Sequence, residues 1–334
     1  MRTSVDVVIP CYNYGRFLAE AVNSVVSQVG VDVRVLIIDD CSPDNTQEIG
    51  EELAALHPCV EFRRHASNKG HISTYNEGIE WAGSDLFLLL SADDALLPGA
   101  LQRVAQMMAD RPDLSFVFGN AILQNDEGIR VLGEPLGKSR GAHSTILSCR
   151  NFVEALGGRN IVPTPSAVVR TSAQKQAGGY NHDLPHAGDL AMWLLLAAAG
   201  PVGFVYEPQA VYRVHAQNMS RAYASARLPD VKQRLAAFEL FLEEAGRHGQ
   251  DVPLLRRIVM KDLAKDSMKQ ACMAFNEDDT NVSFELKRLA QQFDPGARFS
   301  MPGLRLLLRT ALGQGRWRQV RSIATACRSV YPRQ

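Results

Sequence analysis

Short apolar runs alternate with amphipathic stretches through the first third of this chain, and that alternation restricts the fold more than any other feature. Residues 5–10 are a β-branched run closed by Pro10, too short for a helix, and read as a buried strand. Phe17, Leu18, Ala21, Val22 and Val25 then recur at helical spacing. Residues 33–39 form a second apolar run, followed by helical spacing through Ile49, Leu53 and Leu56. The series continues with a strand at 60–64, a helix at 72–81, a strand at 86–90 and a helix at 101–108. Repeated strand–helix units of this kind predict an α/β fold with a mainly parallel sheet covered on both faces.

The pattern loosens further on. Residues 116–123 read as a strand, the Gly-rich stretch 128–141 as a mobile loop, and 167–170 as a strand. A helix is expected at 189–199, then a strand pair at 202–206 and 210–214. After Arg221 the apolar residues Leu235, Phe238, Leu240, Phe241, Ile258, Leu263, Met268 and Cys272 suggest helices without strands between them. A boundary is therefore expected near 220–228.

Charge and cysteine usage exclude some classes. The 36 basic and 36 acidic side chains cancel, so no whole-protein field draws nucleic acid. The balance is local, however. From residue 303 to 334 there are seven arginines and no acid. The six cysteines are scattered without metal-like spacing, as expected of reduced thiols in a cytoplasmic protein. The N-terminus has no signal-peptide pattern, and the longest uncharged apolar stretch, 190–206, is broken by Gly200-Pro201. No membrane span is expected.

In an open parallel sheet, ligands bind beyond the carboxyl ends of the strands. Those ends are polar here. The first strand runs into Cys11-Tyr12-Asn13-Tyr14, the second into Asp39-Asp40-Cys41-Ser42-Pro43-Asp44, and the fourth into Ser91-Ala92-Asp93-Asp94. Two acidic clusters on one rim repel unless a cation or donor-rich ligand lies between them. Mg²⁺ or Mn²⁺ bridging to a diphosphate meets that need. Helix capping is the competing explanation, with Ser42 or Asp44 before one helix and Asp93 or Asp94 before the next.

Residues 7–13 (VVIPCYN), 38–46 (IDDCSPDNT), Asn68-Lys69-Gly70 with Asn76-Glu77-Gly78, 90–94 (LSADD), 188–193 (GDLAMW) and 212–215 (YRVH) together resemble the family 2 glycosyltransferases in order and spacing. The resemblance covers about residues 4–220 and implies a GT-A fold. Residues 1–110 would form its nucleotide-binding half and 111–222 its acceptor half, with a helical region at 223–334.

It implies that Pro10, Tyr12 and Asn13 pack on the nucleotide, and that Asp40 contacts base or ribose. Uracil and thymine offer an imide N–H for such a carboxylate, which makes a UDP- or dTDP-sugar the expected donor. Asn68, Lys69 and Ala92 would also border the nucleotide, although a plain turn explains Lys69 nearly as well. The family's metal motif usually begins with Asp, and Ser91 stands there instead. Asp93 is thus the expected metal ligand, with Asp94 and Ser91 in support.

Asp189 aligns with the family's catalytic carboxylate, which takes the acceptor's proton. The alternative for Asp189 is an N-cap. His215 matches a position near the diphosphate, as metal ligand or phosphate donor, or is an ordinary core histidine. Arg213 is expected to offset leaving-group charge.

These roles describe inverting transfer to a saccharide or lipid-linked acceptor, in surface polysaccharide or glycoconjugate synthesis. A sugar-nucleotide nucleotidyltransferase is disfavoured because residues 11–16 are not a Gly-rich basic phosphate loop. A non-catalytic scaffold on the same fold is the other rival. Leu304, Leu306, Leu307, Leu308 and Leu312 among arginines suggest a basic amphipathic helix, lying on the inner membrane face or forming a homo-oligomer contact.

Overall fold

A computed structural model of the chain describes residues 2–219 and 226–330 apart from Lys138 and Arg140, with side chains described up to Gln319. The N-terminal part alternates β1 (Thr3–Cys11), α1 (Gly15–Val26), β2 (Val31–Asp39), α2 (Thr46–Leu56), β3 (Val60–Arg64), α3 (His71–Trp81) and β4 (Leu86–Leu89). A short β5 (Ala95–Leu96) precedes α4 (Ala100–Asp110). The middle comprises β6 (Phe116–Asn125), β7 (Arg130–Gly133), β8 (Ser144–Leu147), α5 (Cys149–Leu156), β9 (Val168–Arg170), α6 (Thr171–Ala177), α7 (Gly188–Ala199) and β10 (Val202–Val214). Helices α8 (Arg227–Arg247), α9 (Val252–Asn276), α10 (Thr280–Phe293) and α11 (Met301–Val330) follow.

The strands make one sheet in the order β3-β2-β1-β4-β9-β6-β10-β5, with β7 and β8 pairing to β6 and β10. The first four are parallel, and β6–β10 is also parallel. Strand β9 enters antiparallel between the two parallel groups. Alternate side chains of β1 feed two cores, as the period of a buried strand requires. Val5, Val7 and Ile9 pack beneath α1 and α4, whereas Val8 packs beneath α3. Helix α3 lies so close to the sheet that a Cβ on Gly78 would meet Val8 Cγ1 at 2.5 Å. The α3-side core also takes in Leu190 and Trp193 of α7 together with Val231, Phe238 and Phe241 of α8. The C-terminal helices thus share a core with the sheet.

At the far end of β1 from the polar rim, the carboxylate of Asp6 is buried. Arg34 donates two bonds of 2.8 Å to it, and the Gly83 and Ser84 amides donate at 2.6 and 2.8 Å. Burial pushes its pKa up, but these donors outweigh burial and leave it lowered.

Two regions differ from expectation. The stretch 128–141 is partly regular, because β7 pairs antiparallel with β6 across a turn whose Asn125 Oδ1 accepts from Glu127 and Ile129 N–H at 3.1 and 2.8 Å. The expected strand pair at 202–206 and 210–214 is one strand, β10, with register shifts against β6 between Val205 and Ala210. Pro208 has no N–H to give the ladder, so the chain bulges there and pairing resumes beyond it.

Candidate active site

The rim at the ends of β1, β2 and β4 is laced by its own backbone. Asn13 and Cys41 adopt positive φ (61° and 62°), uncommon for residues other than glycine. Asn13 N–H donates to Ser42 Oγ at 2.9 Å and Gly15 N–H to Asp44 Oδ2 at 3.0 Å. Asp39 accepts from Ser42 N–H at 2.9 Å and pairs with Arg64.

Asp40 gathers the following loop. Its Oδ1 accepts from Lys69 N–H at 2.7 Å and lies 2.7 Å from His65 Nδ1, while Oδ2 accepts from Gly70 N–H at 2.9 Å. Gly70, at φ 83°, turns its amide toward that oxygen. With two acceptor positions per oxygen, Oδ2 keeps one for an outside donor. Asn68 Oδ1 also accepts from Gly70 N–H at 3.0 Å. Lys69 Nζ turns to Glu77 at 3.6 Å, so its ammonium is engaged within the protein.

The acid pair after β4 caps nothing. Helix α4 begins at Ala100, with Gly99 at its cap and β5 between. The two carboxylates, both buried, divide their tasks. Asp94 Oδ1 accepts from Arg213 N–H at 2.9 Å, tying the loop to the end of β10. Burial, and then the neighbouring charge of Asp93, push the Asp94 carboxyl well above its usual range. Asp93 Oδ2 lies 3.0 Å from His215 Nε2 and 3.4 Å from Asn218 Nδ2. Asp44, by contrast, does serve its helix, accepting from Thr46 N–H at 3.2 Å.

Arg213 is buried, its guanidinium donating to Asp93 carbonyl O at 2.5 Å and pairing with Glu20. His215 is buried too, stacked on Phe17 and edge-on to Tyr14. Its Nδ1 accepts from Gln217 N–H at 3.2 Å, so Nε2 carries the proton that Asp93 receives. Tyr14 hydroxyl donates to Gln217 carbonyl O at 3.2 Å, and burial followed by the charge of Asp93 raises that phenol to about 12.

Among the described residues no three His, Cys, Asp or Glu side chains are grouped to hold a metal. Asp93 Oδ2 and His215 Nε2, 3.0 Å apart, are two donor atoms close enough to share one ion as neighbouring ligands. They suit a divalent ion only if phosphate oxygens and water complete the shell and His215 shifts its proton to Nδ1.

Across the cleft, Asp189 is the second residue of α7 and not its N-cap, which is Ala187. It accepts from Thr164 Oγ1 at 2.9 Å and from the Tyr180 hydroxyl. Burial pushes its pKa up, and these two bonds only partly oppose the rise. Tyr180 is itself held by Asn76, which accepts from its N–H at 2.6 Å and donates to its C=O at 3.0 Å. His71 Nε2 donates to Pro185 carbonyl O at 3.3 Å, and burial lowers its pKa. From α8, Gln233 Oε1 accepts from His186 and Ala187 N–H at 2.8 and 3.2 Å, fixing the segment ahead of Asp189.

One cleft of about 1020 Å³ joins these walls. Pro10, Tyr12, Asn13, Asp40, Asn68, Ser91, Ala92, Asp93, Asp94 and Asp189 all line it. Lys69, Arg213 and His215 do not line it; Arg213 and His215 are buried behind Asp93, and Lys69 turns to Glu77. The sequence reading missed Tyr14, His71, Tyr180, Asn218 and Gln233, together with Asp230, Arg234 and Gln270, which bring the C-terminal helices to the cleft. Only Tyr14, beside a polar strand end, carried a local signal.

Residues 6–153 match the description "Glycosyl transferase family 2". The poly-β-1,6-N-acetyl-D-glucosamine synthase of Staphylococcus epidermidis is 26% identical over 193 residues, 57% of this chain and 45% of that enzyme. The chain thus spans under half the length of that relative. The S. aureus TarS 1–349 structure with UDP-GlcNAc superposes with a TM-score of 0.57 at 14% identity, over 87% of this chain and 92% of that one. The Pyrobaculum calidifontis mannosyltransferase with GDP-Man and Mn²⁺ gives 0.53 at 16% identity, over 100% and 89%. These likenesses show a GT-A architecture with appended helices, and the match over residues 6–153 supports a family 2 glycosyltransferase in the sheet-bearing part of the chain.

Proposed function

We propose that this glycosyltransferase inverts the anomeric carbon of a UDP- or dTDP-sugar during transfer to a saccharide or lipid-linked acceptor in polysaccharide or glycoconjugate synthesis. The observation carrying this reading is the opposition, across one cleft, of the Asp93 rim and the raised carboxyl of Asp189.

Tyr12 is 49% exposed and lines the cleft, a free aromatic face against which a base can stack. The remaining acceptor position on Asp40 Oδ2 suits the imide N–H of uracil or thymine. Asp189 takes the proton from the acceptor hydroxyl as that oxygen attacks C1, and the nucleoside diphosphate leaves from the opposite face. Its raised pKa makes it a stronger base than an ordinary carboxylate, and Thr164 and Tyr180 keep it oriented. Arg213, behind Asp93, contributes positive charge at a distance. A divalent ion, held by Asp93 with His215 and the diphosphate oxygens, would neutralise leaving-group charge.

No helix among the described residues is long and apolar enough to cross a membrane. Work at the cytoplasmic side, with peripheral attachment, accords with a lipid-linked acceptor.

A thermal-shift screen of nucleoside diphosphates with and without Mn²⁺ tests the donor reading. Stabilisation by UDP or dTDP only with metal is expected, and indifference to every nucleotide would sink it. Donor hydrolysis that Asp93→Ala abolishes separates an enzyme from a non-catalytic scaffold.

A further inference from the structure

Helix α11 is anchored on one face and bare on the other. Leu306 is buried, Pro302 C=O accepts from Cys272 Sγ at 3.2 Å, and Arg309 Nη1 donates to Cys272 C=O at 2.9 Å. A Cβ on Gly303 would meet Ala297 O at 2.4 Å, so the first turn is pressed against the turn at Pro295–Phe299 that leads into it. The anchored face leaves the helix no freedom to roll its other side inward.

That other side is apolar. Met301, Leu304, Leu307 and Leu308 are 64%, 47%, 59% and 58% exposed, and Ala311 is exposed with them. At helical spacing these five fall on one stripe roughly 120° wide, opposite Leu306. Phe299, just ahead of the helix, is 67% exposed with the Arg298 guanidinium 4.6 Å from its ring centroid. Arg305 borders the stripe, and among the described residues neither it nor Arg298 makes an ion pair. Isolated exposed leucines need no explanation, but a one-sided row of them on a fixed helix does.

We infer that this stripe is a docking face for an anionic bilayer surface, with Met301, Leu304, Leu307 and Leu308 entering the headgroup–acyl boundary. Charge selects this partner over a second copy of the chain. Residues 295–334 contain eight arginines and no acidic residue. A two-fold contact through the stripe would bring the basic margin around Arg305 against the equally basic margin of the second copy, whereas anionic lipid headgroups offset it. The structure also corrects the expected face, because Leu306 points inward while Met301 and Ala311 join the exposed side. This inference is independent of the donor and acceptor chosen above.

Co-sedimentation of the whole chain with phosphatidylglycerol-containing vesicles, against pure phosphatidylcholine vesicles, tests it. Binding to the anionic vesicles is expected, weakened by salt and reduced at least about tenfold by Leu304→Glu/Leu308→Glu. Arg305→Gln should reduce it by about fivefold, one charge at the surface. Leu304→Gln/Leu308→Gln serves as a second pair should the first not fold, and an unchanged thermal shift with UDP checks each variant. Absence of vesicle binding, equal binding to both vesicle types, or equal binding by the double variants overturns the inference. So does sedimentation equilibrium without lipid showing an oligomer that the double variants dissociate, which would assign the stripe to a second copy. Loss of the UDP shift in the wild type would count against the donor reading and leave the vesicle result standing.

Discussion

The two walls of the cleft are built differently. On the donor wall, the polar ends of β1 and β2 are fastened by neighbours within about thirty positions, as Asp40 is by Lys69 and Gly70, and only Asp93 and Asp94 reach further, to Arg213, His215 and Asn218. On the acceptor wall, Asp189 is held by residues from separate elements. Thr164 lies 25 positions upstream, Asn76 reaches Tyr180 across 104, and Gln233 caps the segment from α8. The nucleotide-facing turns after β1 and β2 can form with the parallel half-sheet alone, whereas the Asp93 rim also needs the end of β10. The C-terminal helices complete the acceptor wall, through Gln233 on the segment ahead of Asp189 and through Asp230, Arg234 and Gln270 at the cleft.

The largest effect that would sharpen this contrast is at Asp189. Asp189→Asn should lower kcat about 10²- to 10⁴-fold while leaving the UDP thermal shift intact. A parallel loss of nucleotide binding would show the walls to be one unit. Asp93→Ala tests the other side and should abolish metal-dependent stabilisation by UDP, with kcat/KM falling about 100-fold. Unchanged metal response in that variant would move the cation elsewhere.

A smaller effect is expected from Gln233→Ala, which strips the acceptor from two amides ahead of Asp189. About 1–2 kcal/mol of local stabilisation should go, read as a lower Tm and a several-fold lower kcat with donor KM unchanged. A changed donor KM would break the separation of walls.

The smallest concerns pH. Burial raises the Asp189 carboxyl, so the acid limb of kcat should lie above the ordinary aspartate range, with activity lost as pH falls through it. Tyr180→Phe removes a donor that favours the ionised form, so that limb should move further up. A limb moving down, or not at all, would remove Tyr180 from the account.

The same difference explains what could be read beforehand. The rim acids were legible because a parallel strand delivers contiguous residues to its carboxyl end, so sequence neighbours stay spatial neighbours. The capping alternative for Asp93 and Asp94 could not be settled there, since the two residues of β5 that separate them from α4 are too few to give a period. Tyr180 and Gln233 were illegible because their meaning lies in contacts that only the folded core creates. His215 was found, but not the proton it carries, which is set by the amide of Gln217. For Asp189 the cap alternative gives way to its place as the second residue of α7, behind Ala187 at the cap.

Strand β10 carries a further constraint. Before its bulge Val205 faces Gly119, and after it Ala210 faces Ala121, so β10 spends five steps where β6 spends two. The surplus of three is odd, and side chains alternate faces with every step. Insertions and deletions between Tyr206 and Gln209 therefore have a parity. Removing Glu207 alone should turn Arg213 away from Asp93 and erase the nucleotide response in a thermal shift, whereas removing Glu207 and Pro208 together should keep the phase and lose less. Equal damage from both would mean that the bulge absorbs the change locally. Length variation in this strand is then counted in pairs, a rule of arithmetic laid on the site by the strand that carries Arg213 to it.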